Sequence, residues 1–222
     1  MSLIRDVTAR YNPIEAWIYD RFVAPAVLQA RDRIFLETGA LEALPSGASV
    51  LDVGCGGGQI ASELAQENPS LRVFGLDLSD AQVRRARKRS VAVRFVPGSA
   101  LDLPFANGSF DLVYSIGSIK HWPDRARGLA ECVRVLRFGG QLLVLDLDRD
   151  CTIEESREFV RLTRFPRILQ PLWLRIFRAK LVRPSLTPEE ARGHCRPLPL
   201  TELRAERLSR SPAFVLHGRK AS

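Results

Sequence analysis

Lysine, cysteine, histidine and long apolar runs are scarce in this sequence of 222 residues. The four cysteines form no CxxC pair, which disfavours both a zinc knuckle and a disulfide framework. No stretch reaches the roughly 18 apolar residues of a membrane span, and the N-terminal segment lacks the apolar centre of a secretory signal. We therefore expect a cytoplasmic protein with reduced thiols and no metal site.

The net charge of +8 is unevenly distributed along the chain. Residues 1–150 hold 18 basic and 18 acidic residues, so residues 151–222, with 15 basic and 7 acidic residues, carry the whole excess. Only 4 of the 33 basic residues are lysines, a bias that a GC-rich genome produces without any function. The position of the charge is therefore more informative than its amount.

Short apolar segments alternate with helical patterns over the central part of the chain. The strand-like segments are rich in Val, Leu and Phe: ASVLDVG, LRVFGLDLS, VAVRFVPGS, FDLVYSIGS and GQLLVLDLD. Helices are expected over 59–67, 79–88 and 126–136, the last one stopped by Gly139. This order predicts an α/β fold with a parallel sheet and right-handed crossovers.

Four glycines crowd the turn after the first of these strands, in VLDVGCGGGQIASELA. Their spacing is G-x-G-x-G from Gly54, which fits neither the dinucleotide fingerprint nor a phosphate-binding P-loop. Asp52, just before the turn, disfavours a pyrophosphate and suits an ammonium group. Asp77 ends the next strand, where a carboxylate can accept hydrogen bonds from both ribose hydroxyls. The pattern indicates an adenosyl ligand with a cationic amino-acid tail.

Four blocks resemble, in order, the signatures of the class I S-adenosylmethionine-dependent methyltransferases: VLDVGCGGG, GLDLS, VPGSALDLPFANGSFDLVYS and HWPD followed by GLAECVRVLRFGGQLLVLDLD. The resemblance covers about residues 41–148. It implies S-adenosyl-L-methionine as the cofactor. It also implies a Rossmann-like, doubly wound, mostly parallel seven-stranded sheet with a C-terminal antiparallel hairpin, here ELRAERLSR and AFVLHGRK.

The same resemblance implies where the cofactor binds. The backbone of Gly54 and Gly56 would contact its methionine part, Asp52 its amino group and Asp77 its ribose. The predicted cofactor-binding residues are Asp52, Gly54, Cys55, Gly56, Asp77, Leu78, Ser99, Ala100, Ser115 and Ile116. Many relatives have an acidic residue where this chain has Ser99, so Ser99 or the Ala100 backbone must bind the adenine amino group here.

His121 is the candidate catalytic residue. It follows the fourth predicted strand in SIKHWPD, at the edge of the sheet where the acceptor should bind, so it could deprotonate a nucleophile or shape the acceptor pocket. An equally open alternative is a structural histidine beside Trp122. His194 and Cys195 are adjacent but have no further partner pair, which is far short of a metal site.

Two regions outside the core pattern should control the acceptor. Tyr11, Trp17 and Tyr19 are candidate lid residues in an N-terminal helix pair, which could equally pack on the sheet. The segment 157–184 predicts two helices broken between residues 166 and 171 and carries an apolar stripe: Leu169, Leu172, Trp173, Ile176 and Phe177. As a cap it would place Trp173 and Phe177 over the acceptor. As an interfacial helix, residues 157–183 would make a weak contact with anionic membranes, and we favour the cap.

The predicted organisation is an N-terminal helical lid (1–40), a cofactor-binding core (41–150), a helical cap (151–186) and a C-terminal part with the last two strands (187–222). The predicted function is methyl transfer to a small, apolar or aromatic acceptor. One alternative is a lipid or quinone methyltransferase at a membrane surface. An RNA methyltransferase or RNA-binding protein is disfavoured because SIGSIKHW stands where nucleic-acid amino-methyltransferases have [DN]-P-P-[YF]. The acceptor atom, the need for a base and the oligomeric state stay open.

Overall fold

The computed structural model describes residues 19–221, with the side chains of residues 19 and 20 left out. Seven strands form one sheet. They are β1 (Ser49–Val53), β2 (Arg72–Asp77), β3 (Arg94–Pro97), β4 (Phe110–Ile116), β5 (Leu136–Leu147), β6 (Leu200–Arg207) and β7 (Ala213–Lys220). The strand order is β3-β2-β1-β4-β5-β7-β6, and β7 runs in the opposite direction to the other six strands. The predicted α/β sheet with a C-terminal antiparallel hairpin is confirmed.

Seven α-helices accompany the sheet in the described part of the chain. They are α1 (Ala24–Thr38), α2 (Gln59–Glu67), α3 (Asp80–Arg89), α4 (Arg125–Val135), α5 (Ile153–Leu162), α6 (Gln170–Phe177) and α7 (Pro188–Cys195). The first three helices bury apolar side chains on one face of the sheet, and α4 and α7 bury theirs on the other. Strand β1, covered on both faces, is buried at all five positions, including the polar Ser49 and Asp52.

Side-chain caps fix several helix starts. Ser79 accepts a hydrogen bond from the Gln82 N–H at the start of α3, and Thr152 and Glu155 form a capping box at the start of α5. Between α5 and α6 the chain makes a 3₁₀ turn, Arg167–Leu169, and after α6 a π-helical turn, Arg178–Val182. These pieces form a small layer with its own buried cluster, which includes Val160 and Phe177.

One expected helix stop is wrong, and one expected helix break is shifted. The α4 helix ends at Val135, before Gly139, because residues 137–140 bulge out of strand β5 while Leu136 already pairs with Phe110. Gly139 has a φ of +75° in this exposed bulge. The expected break between two helices is present, but it covers residues 163–169 and not 166–171, because Pro171 lies in the first turn of α6, where its missing N–H has no helical partner to lose.

None of the helices described in residues 19–221 is long and apolar enough to cross a membrane.

Candidate functional site

A cleft of about 330 Å³ lies at the carboxyl ends of β1, β2 and β4. Its walls come from the glycine turn after β1, the end of β2, the loop after β3 and the segment after β4. The strand order reverses between β1 and β4, and open parallel sheets bind ligands at such a switch point. The topology therefore brings the predicted ligand-binding segments to one cleft.

The glycines of the turn have different reasons to be glycine. A Cβ on Gly54 would lie 1.9 Å from the Ser118 Oγ, and a Cβ on Gly58 would lie 2.6 Å from the Phe95 ring. A Cβ on Gly56 would meet nothing within 4 Å, although its φ of +53° favours glycine. Packing thus explains Gly54 and Gly58, whereas Gly56 borders open space in the cleft.

Asp77 ties the end of β2 to the glycine turn. Its Oδ2 accepts a hydrogen bond from the Gly56 N–H at 2.8 Å, and its Oδ1 accepts one from the Ser79 N–H at 2.9 Å. Burial raises the pKa of this carboxyl, and the two N–H donors oppose that shift. Because each carboxylate oxygen has a further lone pair, Asp77 can still accept hydrogen bonds from a ligand.

Asp52 lines the cleft but is only 2% exposed. Burial raises the pKa of its carboxyl to about 8; the nearby Tyr114 hydroxyl opposes this shift and the charge of Asp77 adds to it. The Asp52 carboxyl and the Tyr114 hydroxyl nevertheless do not form a hydrogen bond with each other. Neither Asp52 Oδ2 nor Tyr114 Oη has a hydrogen-bond partner among the described residues. Asp52 is therefore a buried acid that a cation in the cleft would stabilise.

The loop after β3 forms the opposite end of the cleft. Ser99 Oγ accepts a hydrogen bond from the Leu101 N–H at 3.1 Å, which closes a tight turn. Ser99, Ala100 and Leu101 line the cleft together with Leu78, while Asp102 does not. Leu78 and Leu101 provide apolar surface suited to a flat aromatic ring. Cys55 also lines the cleft, and burial raises the pKa of its thiol well above the usual value.

The segment after β4 differs in one respect from the expectation. Ile116 lines the cleft, whereas Ser115 is buried in the sheet and is not among the lining residues, because successive side chains of a strand point to opposite faces. Gly117 and Ser118 line the cleft instead, and Ser118 Oγ accepts a hydrogen bond from Trp122 Nε1 at 3.0 Å. The period-two alternation along β4 could have excluded Ser115.

His121 ends a 3₁₀ turn, Ile119–His121, at the mouth of the cleft. Burial, and then the positive charge of Lys120, lower the pKa of its imidazole to about 4. Lys120 forms a buried ion pair with Asp146, with Nζ 3.0 Å from Oδ1, and also donates to the Gly117 carbonyl. His121 is thus neutral at pH 7 and has a lone pair available.

A second, apolar pocket of about 90 Å³ adjoins the cleft at His121. The two cavities share four lining residues: Val27, Ile116, Gly117 and His121. The remaining walls of the pocket are mostly apolar and come from α1, the end of β5, helices α5 and α6 with the turn after α6, and the start of β7, including Ala30, Leu147, Phe159, Phe177, Leu181 and Ala213. Sequence reasoning missed most of these residues because they are far apart in the chain.

The predicted lid and cap residues have different positions. Phe177 is buried and lines the apolar pocket, whereas Trp173 does not line it and stacks on Phe165 with ring centroids 4.5 Å apart. Tyr11 and Trp17 lie outside the described residues. Tyr19 lies in a π-helical turn, Tyr19–Val23, and its side chain also lies outside the described part.

Across residues 19–221 no group of three or more His, Cys, Asp or Glu side chains is arranged to hold a metal ion.

Residues 51–144 match the methyltransferase-domain family. The chain is 34% identical over 155 residues to the O-methyltransferase rstn1 of Aspergillus nomiae, a match that covers 67% of this chain and 68% of that protein. The chain belongs to the class I S-adenosylmethionine-dependent methyltransferases. This confirms the family and the cofactor implied by the sequence blocks.

This methyltransferase is also similar to one further curated protein in sequence and to one solved structure in fold. It is 40% identical over 111 residues to a 2-methyl-6-phytyl-1,4-hydroquinone methyltransferase of Synechocystis, covering 49% of this chain and 35% of that protein. Its fold superimposes on a candidate S-adenosylmethionine-dependent methyltransferase of Methanococcus maripaludis with a TM-score of 0.72 at 19% identity, covering 96% and 95% of the two chains. The methyltransferase spans from about a third to about two thirds of the length of the first curated relatives that it matches.

The residues present fit the cofactor of this methyltransferase family. Asp52 offers an unpaired, buried carboxyl oxygen to an ammonium group, and Asp77 offers two oxygens to a ribose. The open space at Gly56 leaves room for a ligand against the main chain.

Proposed function

We propose that the protein transfers a methyl group from S-adenosylmethionine to a hydroxyl oxygen of a small, apolar or aromatic acceptor. The observation that carries this proposal is the apolar pocket, which meets the cofactor cleft at His121. Several curated relatives are named O-methyltransferases, which supports oxygen as the acceptor atom. The pocket's apolar walls support an uncharged acceptor.

Each part of the site has a separate task in this proposal. Asp52 and Asp77 hold the cofactor by its ammonium group and its ribose. When bound, the cofactor supplies an electrophilic methyl group on a positively charged sulfur. The apolar walls exclude water and hold the acceptor, because alignment and desolvation are the main sources of rate in such a displacement.

His121 accepts the hydrogen bond of the acceptor hydroxyl on a neutral imidazole nitrogen and takes its proton. Its pKa of about 4 makes it a weak base. A weak base suffices because the hydroxyl becomes strongly acidic as its oxygen gains a methyl group, and proton transfer follows that change. The adjacent ion pair of Lys120 and Asp146 is a positioning element that fixes the turn on which His121 lies.

A size change inside the pocket tests this proposal. Ala30→Leu adds volume from α1 to the apolar pocket but not to the cleft, so we expect the acceptor KM to rise while cofactor affinity stays unchanged. Ala81→Leu, on the exposed side of α3, is the matched control. Transfer of radiolabelled methyl groups to a panel of phenols and hydroquinones gives the acceptor kinetics, and calorimetry gives cofactor affinity. Labelling of peptides or RNA alone would contradict the proposal.

A second candidate is a quinone or lipid methyltransferase at a membrane surface. The name of the Synechocystis relative favours a quinone-type acceptor, and the exposed apolar side chains of α6 favour a surface contact. A phenolic acceptor with a long apolar tail that outcompetes short phenols would distinguish this candidate from the first.

A further inference from the structure

The outer face of the cap is apolar and uncovered in the described structure. Ten large apolar side chains are exposed among the described residues, and five of them fall within 15 consecutive positions. We call these five the outer patch: Leu162, Ile168, Leu169, Leu172 and Ile176, with exposures between 42% and 87%. Isolated exposed apolar residues are ordinary, but a cluster of this kind marks an interaction surface.

The outer patch lies on a different side of α6 from the residue that lines the apolar pocket. Leu169, Leu172 and Ile176 are spaced i, i+3 and i+7, so they share one face at the start and along the length of α6. Phe177 on the inner side lines the apolar pocket, and Arg178 Nη1 donates to the Ser156 Oγ at 2.7 Å, which holds the helix to α5. The apolar stripe predicted from the sequence is thus divided, with only part of it covered by the fold.

Exposed cations without ion pairs are interleaved along the chain with the residues of the outer patch. No acidic residue occurs between Glu158 and Glu189, a segment that contains seven basic residues. Six of the seven are exposed, and none of the six forms a side-chain ion pair with a described residue: Arg161, Arg164, Arg167, Arg175, Lys180 and Arg183. Some arginines elsewhere do have carboxylate partners, as in Arg33 with Glu37 and Arg137 with Asp111, whereas others, such as Arg84, form no ion pair with a described residue.

We infer that the outer patch docks the protein on an anionic lipid bilayer. Apolar side chains flanked by cations on a short surface helix are suited to the boundary between acyl chains and acidic headgroups. The uniform positive sign of the surrounding charge selects this partner over a second copy of the same face, which would bring like charges together. The functional significance of this docking rests on the proposed function. With α6 docked, the apolar pocket would lie next to the lipid phase into which apolar acceptors partition.

Vesicle binding tests the docking without any need for an acceptor. The full chain should bind vesicles of phosphatidylcholine and phosphatidylglycerol, bind phosphatidylcholine alone much less, and dissociate as salt is raised. Each cation near the surface contributes roughly fivefold, so Arg167→Glu/Arg175→Glu should weaken binding at least about 25-fold. Leu172→Glu/Ile176→Glu should abolish it.

Two control variants carry the same charge changes elsewhere on the surface. Leu36→Glu/Val91→Glu replaces exposed apolar side chains outside the patch, and Arg84→Glu/Arg94→Glu replaces exposed arginines on α3 and β3. Both should bind vesicles nearly as the parent does, and all variants should keep the parent's affinity for the cofactor, which verifies their fold.

Three results would overturn the inference. They are the absence of vesicle binding by the parent, equal binding to neutral and anionic vesicles, and equal loss in the patch and control variants. A dimer in light scattering that only the patch variants dissociate would assign the face to a second copy instead. These outcomes can be interpreted even if the Ala30→Leu experiment contradicts the proposed function, because vesicle binding does not depend on methyl transfer.

Discussion

The two cavities of this methyltransferase are built in different ways. The cleft uses main-chain groups and carboxylates from consecutive strand-turn-helix units, between Asp52 and Pro123, apart from three α1 residues. The apolar pocket is smaller, about 90 Å³ against about 330 Å³, and draws apolar side chains from positions as far apart as Val23 and Ala213. A cleft made by local units keeps its pattern in sequence, whereas a pocket made by long-range packing does not.

Burial has the same electrostatic consequence in both cavities. It raises the pKa of Asp52 and lowers the pKa of His121, so that each group favours its uncharged form near neutral pH. In the proposed function, Asp52 then pairs with a cation and His121 accepts a hydroxyl proton. Because the two cavities hold different ionisable groups, we expect substitutions in them to change different properties of the protein. Three substitutions test this expectation.

The largest effect is expected at Lys120, which lines the apolar pocket next to His121. Lys120→Met leaves the carboxylate of Asp146 buried without its cation, so we expect a loss of about 3–5 kcal/mol in the free energy of unfolding. Lys120→Met/Asp146→Asn removes both charges and should recover part of that loss. Urea unfolding of the three proteins measures these differences. An unchanged stability of Lys120→Met would show that the ion pair does not hold the turn of His121.

The cofactor side of the fold could be predicted from sequence because its signals are local. The glycine turn, the carboxylates at the ends of β1 and β2, and the apolar strands each occupy a few neighbouring residues. The bulge at Gly139 was missed because a glycine after a helical pattern resembles a helix stop. The outward position of Leu172 was missed because an apolar stripe shows that a face is apolar, not what covers it.

The next effect should appear in turnover alone. His121→Ala removes the hydrogen-bond acceptor at the junction of the cavities, and we expect kcat to fall roughly 100-fold with unchanged cofactor affinity. With a pKa of about 4, the imidazole is neutral above about pH 5, so the acid limb of the parent's rate profile should lie below that pH. A loss confined to the acceptor KM would instead make His121 part of the pocket wall.

The smallest effect is expected for Asp52→Asn, which should change the stability of the protein and its affinity for the cofactor in opposite directions. Asp52→Asn removes an acid whose folded pKa of about 8 exceeds its ordinary value of 3.8. Between these two pKa values the folded state holds a proton that the unfolded state has released, so the parent loses stability as pH rises through this window. Without cofactor, Asp52→Asn should be more stable than the parent by about 1–3 kcal/mol near pH 7, and the difference should grow from about pH 6 to about pH 8.

The same Asp52→Asn substitution should weaken cofactor binding. A cationic ammonium group beside Asp52 lowers its pKa and expels its proton, so the parent's affinity should fall with decreasing pH below about pH 8. Calorimetry in buffers of different ionisation enthalpy should detect this proton release in the parent but not in Asp52→Asn. Asp102→Asn, exposed and outside the cleft, is the control and should behave as the parent does. If the parent and Asp52→Asn release the same number of protons, Asp52 does not pair with the ammonium group.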